Sequence, residues 1–372
     1  MRKLWKILPP LMADNFGFIE TIRQSDGMGI IDDCGAYRLT RERHRSPDLR
    51  VCHTEINSED VVGGTRQKVL EAFQKVNMHY NGKFVLVTAG PCSAMIGTDL
   101  DEAAEQISKE YGIPAMAVKL SGHKTYDEGI SETLYAMSAL LCEEQQQIIA
   151  NSINLLGANT FDWQEEMPEK VRRWFEDQGI HVIANLGGKE TSENIKKMPA
   201  ASMNVVLTVS GLKAAKYLHQ QFGTPYVTMA PFGEKWSELL IERIRGQQLI
   251  ESDIPKEEDP QLLIVGEQLM ANAIRETLMR EYGIKRIQVA SFYKLSKELA
   301  APHDIRIRDE DDAKKIFGEG NYRMIIADPL LKMLSPKTVK WLDLPHKVFS
   351  LYGETKQLPM LLGKQLNEWL EK

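Results

Sequence analysis

Four cysteines carry the most distinctive chemistry in this chain: Cys34, Cys52, Cys92 and Cys142. None belongs to a Cys-x-x-Cys pair, so the local zinc and redox motifs are absent from the sequence. Cys92 stands in TAGPCSAMIGTDLDE, just past the apolar run FVLVT and before a helical pattern. In open α/β sheets ligands bind at that edge, outside the carboxyl ends of the strands. Cys34, in MGIIDDCGAYR, also follows a short apolar run, and Asp32, Asp33 and Gly35 around it are turn-forming types. Both cysteines therefore fall in loops at strand ends, where a thiolate serves as a metal or cluster ligand; burial as a small hydrophobe is the other reading. Cys52 lies beside His53 in LRVCHTEIN and is an accessory-ligand candidate. Cys142 closes an apolar helical pattern with Ile130, Leu134 and Met137, which reads as core. A disulfide framework is not expected in a cytosolic chain of this size.

The eight histidines show no pair at i,i+4. His123, in the loop SGHKTYDEG, is a candidate proton donor together with Asp32 and Asp33; His44 and His53 share the polar N-terminal stretch with two of the cysteines. The basic run Arg38–Arg45 reads as a solvated face or a partner contact. No GxxxxGK[ST] occurs, so no ATP is expected on this chain, and without a GxGxxG after a strand no NAD(P) is expected either. The strand–Gly–helix turn of VGEQLMANAIRE is able to hold an anion at a helix N-terminus, with plain βα packing as the simpler reading.

These residues need a scaffold, and the pattern supplies one. Short β-branched runs alternate with longer helical patterns through most of the 372 residues, which predicts an α/β protein with parallel sheets flanked by helices. Expected strands include 84–88, 153–156, 204–208, 262–265, 324–327 and 348–351; expected helices include 99–111, 127–150, 212–222, 267–282 and 356–370. The polar, charged SDIPKEEDPQ marks one boundary and the region of Ala150 another. The division expected is residues 1–150, 151–258 and 259–355, with a C-terminal helix over 356–372 returning to the first domain. A length of 372 residues suits two or three domains at roughly 100–200 residues each. Net charge is −6, which argues against nucleic acid as the main partner. No apolar run is long enough for a membrane span, and the opening MRKLWKILPPLMADNFG lacks the extended apolar region of a signal peptide, so a cytoplasmic protein is expected.

With these residues in view, the segments HTEINSEDVVGGTRQKVLEAFQ and VLVTAGPCSAMIGTDLDEAAEQI resemble the nitrogenase component 1 family. Members carry an acidic-Val-Val/Phe-Gly-Gly segment leading into a helix, then a strand, a loop Cys and an Ile-Gly-Asp-Asp-Ile variant, here IGTDL. INLLG and YLHQQFGTPYVTMAPFG are similar to later family segments. The resemblance implies three Rossmann-like domains, a dimeric core (homodimer, or heterodimer with a homologous chain) and an iron–sulfur cluster at the subunit interface. It also implies electrons delivered by a separate ATP-hydrolysing iron protein, with a small molecule or tetrapyrrole reduced. By the same resemblance, Cys34 and Cys92 match two of the family's cluster cysteines. The first family Cys would fall in LPPLMADNFG, which has none. Two chains with two thiolates each complete the set for one [4Fe–4S] cluster; Asp14, Asp32, Asp33 or Cys52 remain alternatives for a third ligand. The cofactor-anchoring Cys would fall near VLTVSG, which has none, and His346 is left out of the expected site. Loops SGHKTYDEG and TMAPFGEKW are expected to line a substrate cleft among the three domains. A non-catalytic metallocofactor scaffold is the alternative function.

Overall fold

A computed structural model describes residues 6–34, 50–164, 166–246, 259–350 and 357–371. His44, the run Arg38–Arg45 and most of the polar 252–261 stretch lie outside the described residues.

The first sheet collects β1 (Met28–Asp32), β2 (Val51–His53), β3 (Val85–Ala89) and β4 (Ala115–Val118) in the order β2-β1-β3-β4, all parallel. Around it stand α1 (Asp14–Arg23), α2 (Ser58–Gly63), α3 (Arg66–His79), the short α4 (Pro91–Ile96), α5 (Asp101–Tyr111) and α6 (Tyr126–Leu141). One face packs Met28, Ile30, Val85 and Val87 against Val69 and Phe73 of α3 and Ile107 of α5. The other turns Ile31 and Leu86 towards Phe18 of α1 and Ile130 and Leu134 of α6. Both faces are buried, which is why the strands read as continuous apolar runs. The helix expected over 99–111 begins at Asp101, whose amide donates to the Asp99 side chain at 2.9 Å. At its other end Gly112 adopts φ 67°, the left-handed stop that glycine reaches without strain.

The second sheet runs β6-β5-β7-β8, from β5 (Ile149–Leu156), β6 (His181–Leu186), β7 (Ala201–Val206) and β8 (Tyr226–Thr228). Its helices are α7 (Met167–Asp177), α8 (Ser192–Lys196), α9 (Leu212–Phe222) and α10 (Glu234–Ile244). The helix expected over 127–150 ends at Leu141; Cys142 is extended, polar residues follow, and the chain is pairing in β5 by Ile149.

The third sheet, order β11-β10-β9-β12-β13, is also parallel. It is built from β9 (Leu262–Val265), β10 (Ile287–Ser291), β11 (Ile305–Arg306), β12 (Met324–Ala327) and β13 (Lys340–Asp343), with α11 (Gln268–Tyr282) and α12 (Glu310–Glu319). Of the strand expected at 348–351, the described residues 348–350 are instead helical, in α13 (Lys347–Ser350). The ladder there is taken by Lys340–Asp343, whose alternation of Trp341 with charged residues is a weak strand signal.

The C-terminal helix is also corrected. It is the short α14 (Gln365–Leu370), and it does not return to the first sheet. Leu361, Leu362 and Leu366 are buried in the core shared by the second and third sheets, and Asn367 bonds to Glu234 of α10 and Glu281 of α11. The apolar stripe goes where apolar surface awaits cover, beside Phe232 and Leu240. A single central core joins all three sheets, through Leu86, Leu156 and Leu263 among others.

Candidate functional site

Residues Asp32 of β1 and Ala89 of β3 are register partners, so two parallel strands end side by side. Cys34 follows the first strand by two residues and Cys92 the second by three. Their Cα atoms are 6.2 Å apart, and the two sulfurs are joined as a disulfide. The two cysteines named from the sequence are thus brought to one place. Parallel pairing forces the two loops together, which spacing in the sequence does not reveal.

Asp32 and Asp33 hold the loops in place. Asp32, fully buried, accepts hydroxyl hydrogen bonds from Thr54 (2.8 Å), Thr65 (2.8 Å) and Ser93 (2.6 Å). Three separate segments are thereby tied to one carboxylate. Such bonds to a buried carboxylate contribute about 1.5–3 kcal/mol each. Asp33 accepts the amide of Cys92 at 2.9 Å. One of its carboxylate oxygens and the two sulfurs all lie within 4.8 Å of one another. Gly90 makes room for this: a Cβ there would stand 2.5 Å from the Asp33 carboxyl carbon. Of the four alternatives for a further ligand, Asp33 is the residue placed with the sulfurs.

Asp14 is placed elsewhere. It caps the loop before α6, accepting the Ser121 amide at 3.2 Å, and burial raises its pKa against the lowering effect of those amides. Its neighbour Asn15 is closer to the site, donating to the Ala89 carbonyl at 3.1 Å. Gly122 packs against Pro91, where a Cβ would meet the ring at 2.4 Å, so the 121–124 loop abuts the residue before Cys92. His123 is exposed on that loop. Cys52 packs on the Val69–Phe73 core and stands outside the sulfur–carboxylate group. Cys142 is buried, donates to the Ile195 carbonyl at 3.1 Å, and burial pushes its thiol up to about 12, as suits a core residue.

A second constellation lies where the three sheets meet. Tyr126 at the start of α6 donates to Asp162 at 2.5 Å. His346 lies 3.0 Å from the same Asp162 oxygen through Nε2 and 3.0 Å from the Tyr293 hydroxyl through Nδ1. Asp328 takes the His346 amide at 2.7 Å. All five side chains are buried. Burial first, and then the Asp162 carboxylate, push both phenols well above their ordinary range, so they act as donors. Burial likewise raises Asp127, which accepts the Lys294 amide at 2.8 Å. Together these side chains form a packed polar junction. Within TMAPFGEKW, Phe232 is fully buried against Trp163, and Thr277 donates to its carbonyl.

Tyr126, Asp162, Tyr293 and Asp328 carry no motif in the sequence, and His346 is absent from the expected site. Their signal is positional: Asp162, Tyr293, Asp328 and His346 each follow the carboxyl end of a strand within a few residues. The strand-end rule, applied to all three sheets and not only to the cysteine loops, gathers them.

The turn of VGEQLMANAIRE takes the plainer of its two readings. The position at the N-terminus of α11 is filled by this chain's own Glu267, which accepts the amides of Met270 (3.0 Å) and Val209 (2.7 Å). Glu190 does the same after β6, accepting the amides of Asn185 and Thr191 and pairing with Arg172.

Comparison with known proteins gives this geometry a family. The family described as nitrogenase component 1 type oxidoreductase matches residues 34–300, a span that includes both paired cysteines. The chain belongs to the nitrogenase component 1 family. Within it, the chain is 26% identical over 200 residues to the nitrogenase iron-molybdenum cofactor biosynthesis protein NifE of Clostridium pasteurianum, covering 52% of this chain and 43% of that one. It is 25% identical to a light-independent protochlorophyllide reductase subunit of Prosthecochloris aestuarii, covering 56% of this chain and 40% of the relative. A longer match to the same reductase subunit from Rippkaea orientalis is 23% identical and covers 87% of this chain and 74% of the relative. The first two alignments thus span less than half the length of the curated relatives. In fold, the chain is similar to the solved structure "Nitrogenase Cp1 at pH 6.5", with a TM-score of 0.74 over all of this chain and 93% of the other at 14% identity. The architecture of parallel sheets flanked by helices is that of the nitrogenase component 1 fold. Among the described residues no helix is long and apolar enough to cross a membrane.

Proposed function

We propose that this chain is the substrate-reducing component of a two-component, nitrogenase-like reductase, and that Cys34 and Cys92 hold an iron–sulfur cluster shared between two copies of the chain or with a homologous partner. The observation that carries this reading is the meeting of the Cys34 and Cys92 sulfurs at one sheet edge, with the Asp33 carboxylate in reach. Soft thiolates are the donor set for iron–sulfur clusters, and a pair is half of what one [4Fe–4S] cluster requires. The surroundings suit a covered interface: Cys34 and Cys92 are half-buried, while Met95 on the helix of Cys92 is 80% exposed and Val62 on α2 is 90% exposed. When bound, the cluster supplies one-electron transfer. The chain's own residues do the rest. Asp32 fixes the loops through its three hydroxyl partners, and Asp33 orients the backbone of Cys92. His123, exposed on the 121–124 loop, is the proton carrier. ATP hydrolysis belongs to a separate iron protein in this reading, and the substrate is a small unsaturated molecule or a tetrapyrrole. In this reading the units 1–150, 151–258 and 259–355 correspond to the three sheets, with β5 of the second beginning at Ile149.

The test is reduction of anaerobically reconstituted protein by dithionite, followed by electron paramagnetic resonance. The expected result is a cluster signal that disappears in both Cys34→Ala and Cys92→Ala; a signal equally strong in both variants sinks the assignment. Similarity to NifE favours a second reading, a scaffold that holds a metallocofactor and passes it on. Turnover of a reducible substrate with an iron protein excludes the scaffold, and transfer of metal without turnover establishes it.

A further inference from the structure

We infer that Cys34 and Cys92 form a reversible dithiol–disulfide pair, and that closing the disulfide shuts the same site to an iron–sulfur cluster. The inference rests on the cluster reading above and adds its regulation by thiol-oxidising small molecules. The scaffold brings the two sulfurs together: the strands that deliver them are hydrogen-bonded neighbours, Asp33 ties to the Cys92 amide, and Asp32 ties the surrounding segments. A Cα separation of 6.2 Å falls inside the window of roughly 4.4–6.8 Å in which two cysteines can be bridged. Both cysteines are half-buried and thus within reach of a small oxidant.

The oxidant is a low-molecular-weight disulfide. One protein thiolate attacks it, forming a mixed disulfide and releasing one small thiolate. The second protein thiolate then attacks the protein-side sulfur of that mixed disulfide, forming the Cys34–Cys92 bond and expelling the second small thiolate. The protein pair loses two electrons, the oxidant gains them, and the two protons of the protein thiols end on the released thiols. In the closed state each sulfur is bonded to the other and neither is a thiolate, so only the Asp33 carboxylate of the three grouped donors remains. Cys142 does not compete, since it is buried with a thiol pushed up to about 12.

The experiment treats the reduced, full-length protein with oxidised glutathione under anaerobic conditions. Titratable thiols, counted after denaturation, are expected to fall from four to two and to return with dithiothreitol. Peptide mass spectrometry is expected to recover Cys34 linked to Cys92 in the wild type, and a glutathione adduct on Cys34 in Cys92→Ser. In a second arm, reduced and oxidised protein receive ferrous iron and sulfide: the reduced form takes up iron, the oxidised form does not, and dithiothreitol restores uptake. Glutathione adducts on both cysteines without a cross-link overturn the inference and leave the cluster reading untouched. Equal iron uptake by cross-linked and reduced protein also overturns it. Iron taken up by neither form overturns the cluster reading and the gating that rests on it, while the thiol count still decides whether the bridge is reversible.

Discussion

The strand-end loops of the first sheet and those of the other two sheets occupy equivalent places and have opposite fates. In the first sheet, Cys34 and Cys92 stand half-buried, and Met95 on the helix of Cys92 is exposed. In the second and third, the corresponding loops deliver Asp162, Glu267, Tyr293, Asp328 and His346 into a buried junction where each polar group finds a partner from this chain. One set of loops leaves its two sulfurs half-buried; the other buries its polar groups in joining the units. The position of a residue at a strand end therefore identifies where chemistry can be placed, and burial decides whether it serves assembly or reaction.

The sharpest way to break this contrast is to remove a member of the buried set. Asp162→Ala leaves His346, Tyr126 and the Asn159 amide without their shared acceptor. Its unfolding free energy is expected to fall by about 3–5 kcal/mol, the usual cost of breaking a buried polar pair. Urea denaturation checks this, and a loss below about 1 kcal/mol would show that the junction is not what joins the sheets.

The next effect is a pH dependence. Burial, with Asp162 nearby, raises Glu267 from its ordinary value to about 8. The folded chain then binds this proton more tightly than the unfolded chain. Stability is accordingly expected to decline as pH rises from the ordinary carboxylate range towards about 8, and to level off above it. The slope from one such group is at most about 1.4 kcal/mol per pH unit. In Glu267→Gln that slope is expected to shrink, whatever the shift in midpoint; an unchanged slope assigns the titration to another group.

Smaller effects belong to the first sheet. Asp33→Ala is expected to cost about 1–3 kcal/mol, by leaving the Cys92 amide without its acceptor, and to lower metal affinity. Iron uptake equal to wild type would remove Asp33 from the site. His123→Ala is expected to change stability by less than about 0.5 kcal/mol, because the side chain is exposed. A large destabilisation would show that the 121–124 loop depends on it.

The alternation of strands and helices is legible in the sequence because both faces of each sheet are buried, and Cys34 and Cys92 are legible because they stand in turn-rich loops at strand ends. Their union is not legible, since it depends on the pairing of β1 with β3 across more than fifty residues of intervening chain. Asp33 and Asp32 are adjacent and alike in the sequence; only the fold separates them, giving one to the sulfurs and the other to three hydroxyls. The junction escapes a sequence reading because Tyr126, Asp162, Tyr293 and His346 come from distant segments and carry no local motif. The end of α6 at Leu141 is hidden for a plainer reason: the polar 143–147 stretch looks helical by composition, and the ladder formed by β5 overrides it.

The most direct measurement of the central claim is iron and acid-labile sulfide per chain in protein purified and kept reduced without oxygen, with Cys34→Ala and Cys92→Ala alongside. The account predicts about two irons per chain, as one [4Fe–4S] cluster per pair of chains requires, and none in either variant. Iron retained in both variants, or absent from the reduced wild type after reconstitution, would contradict it.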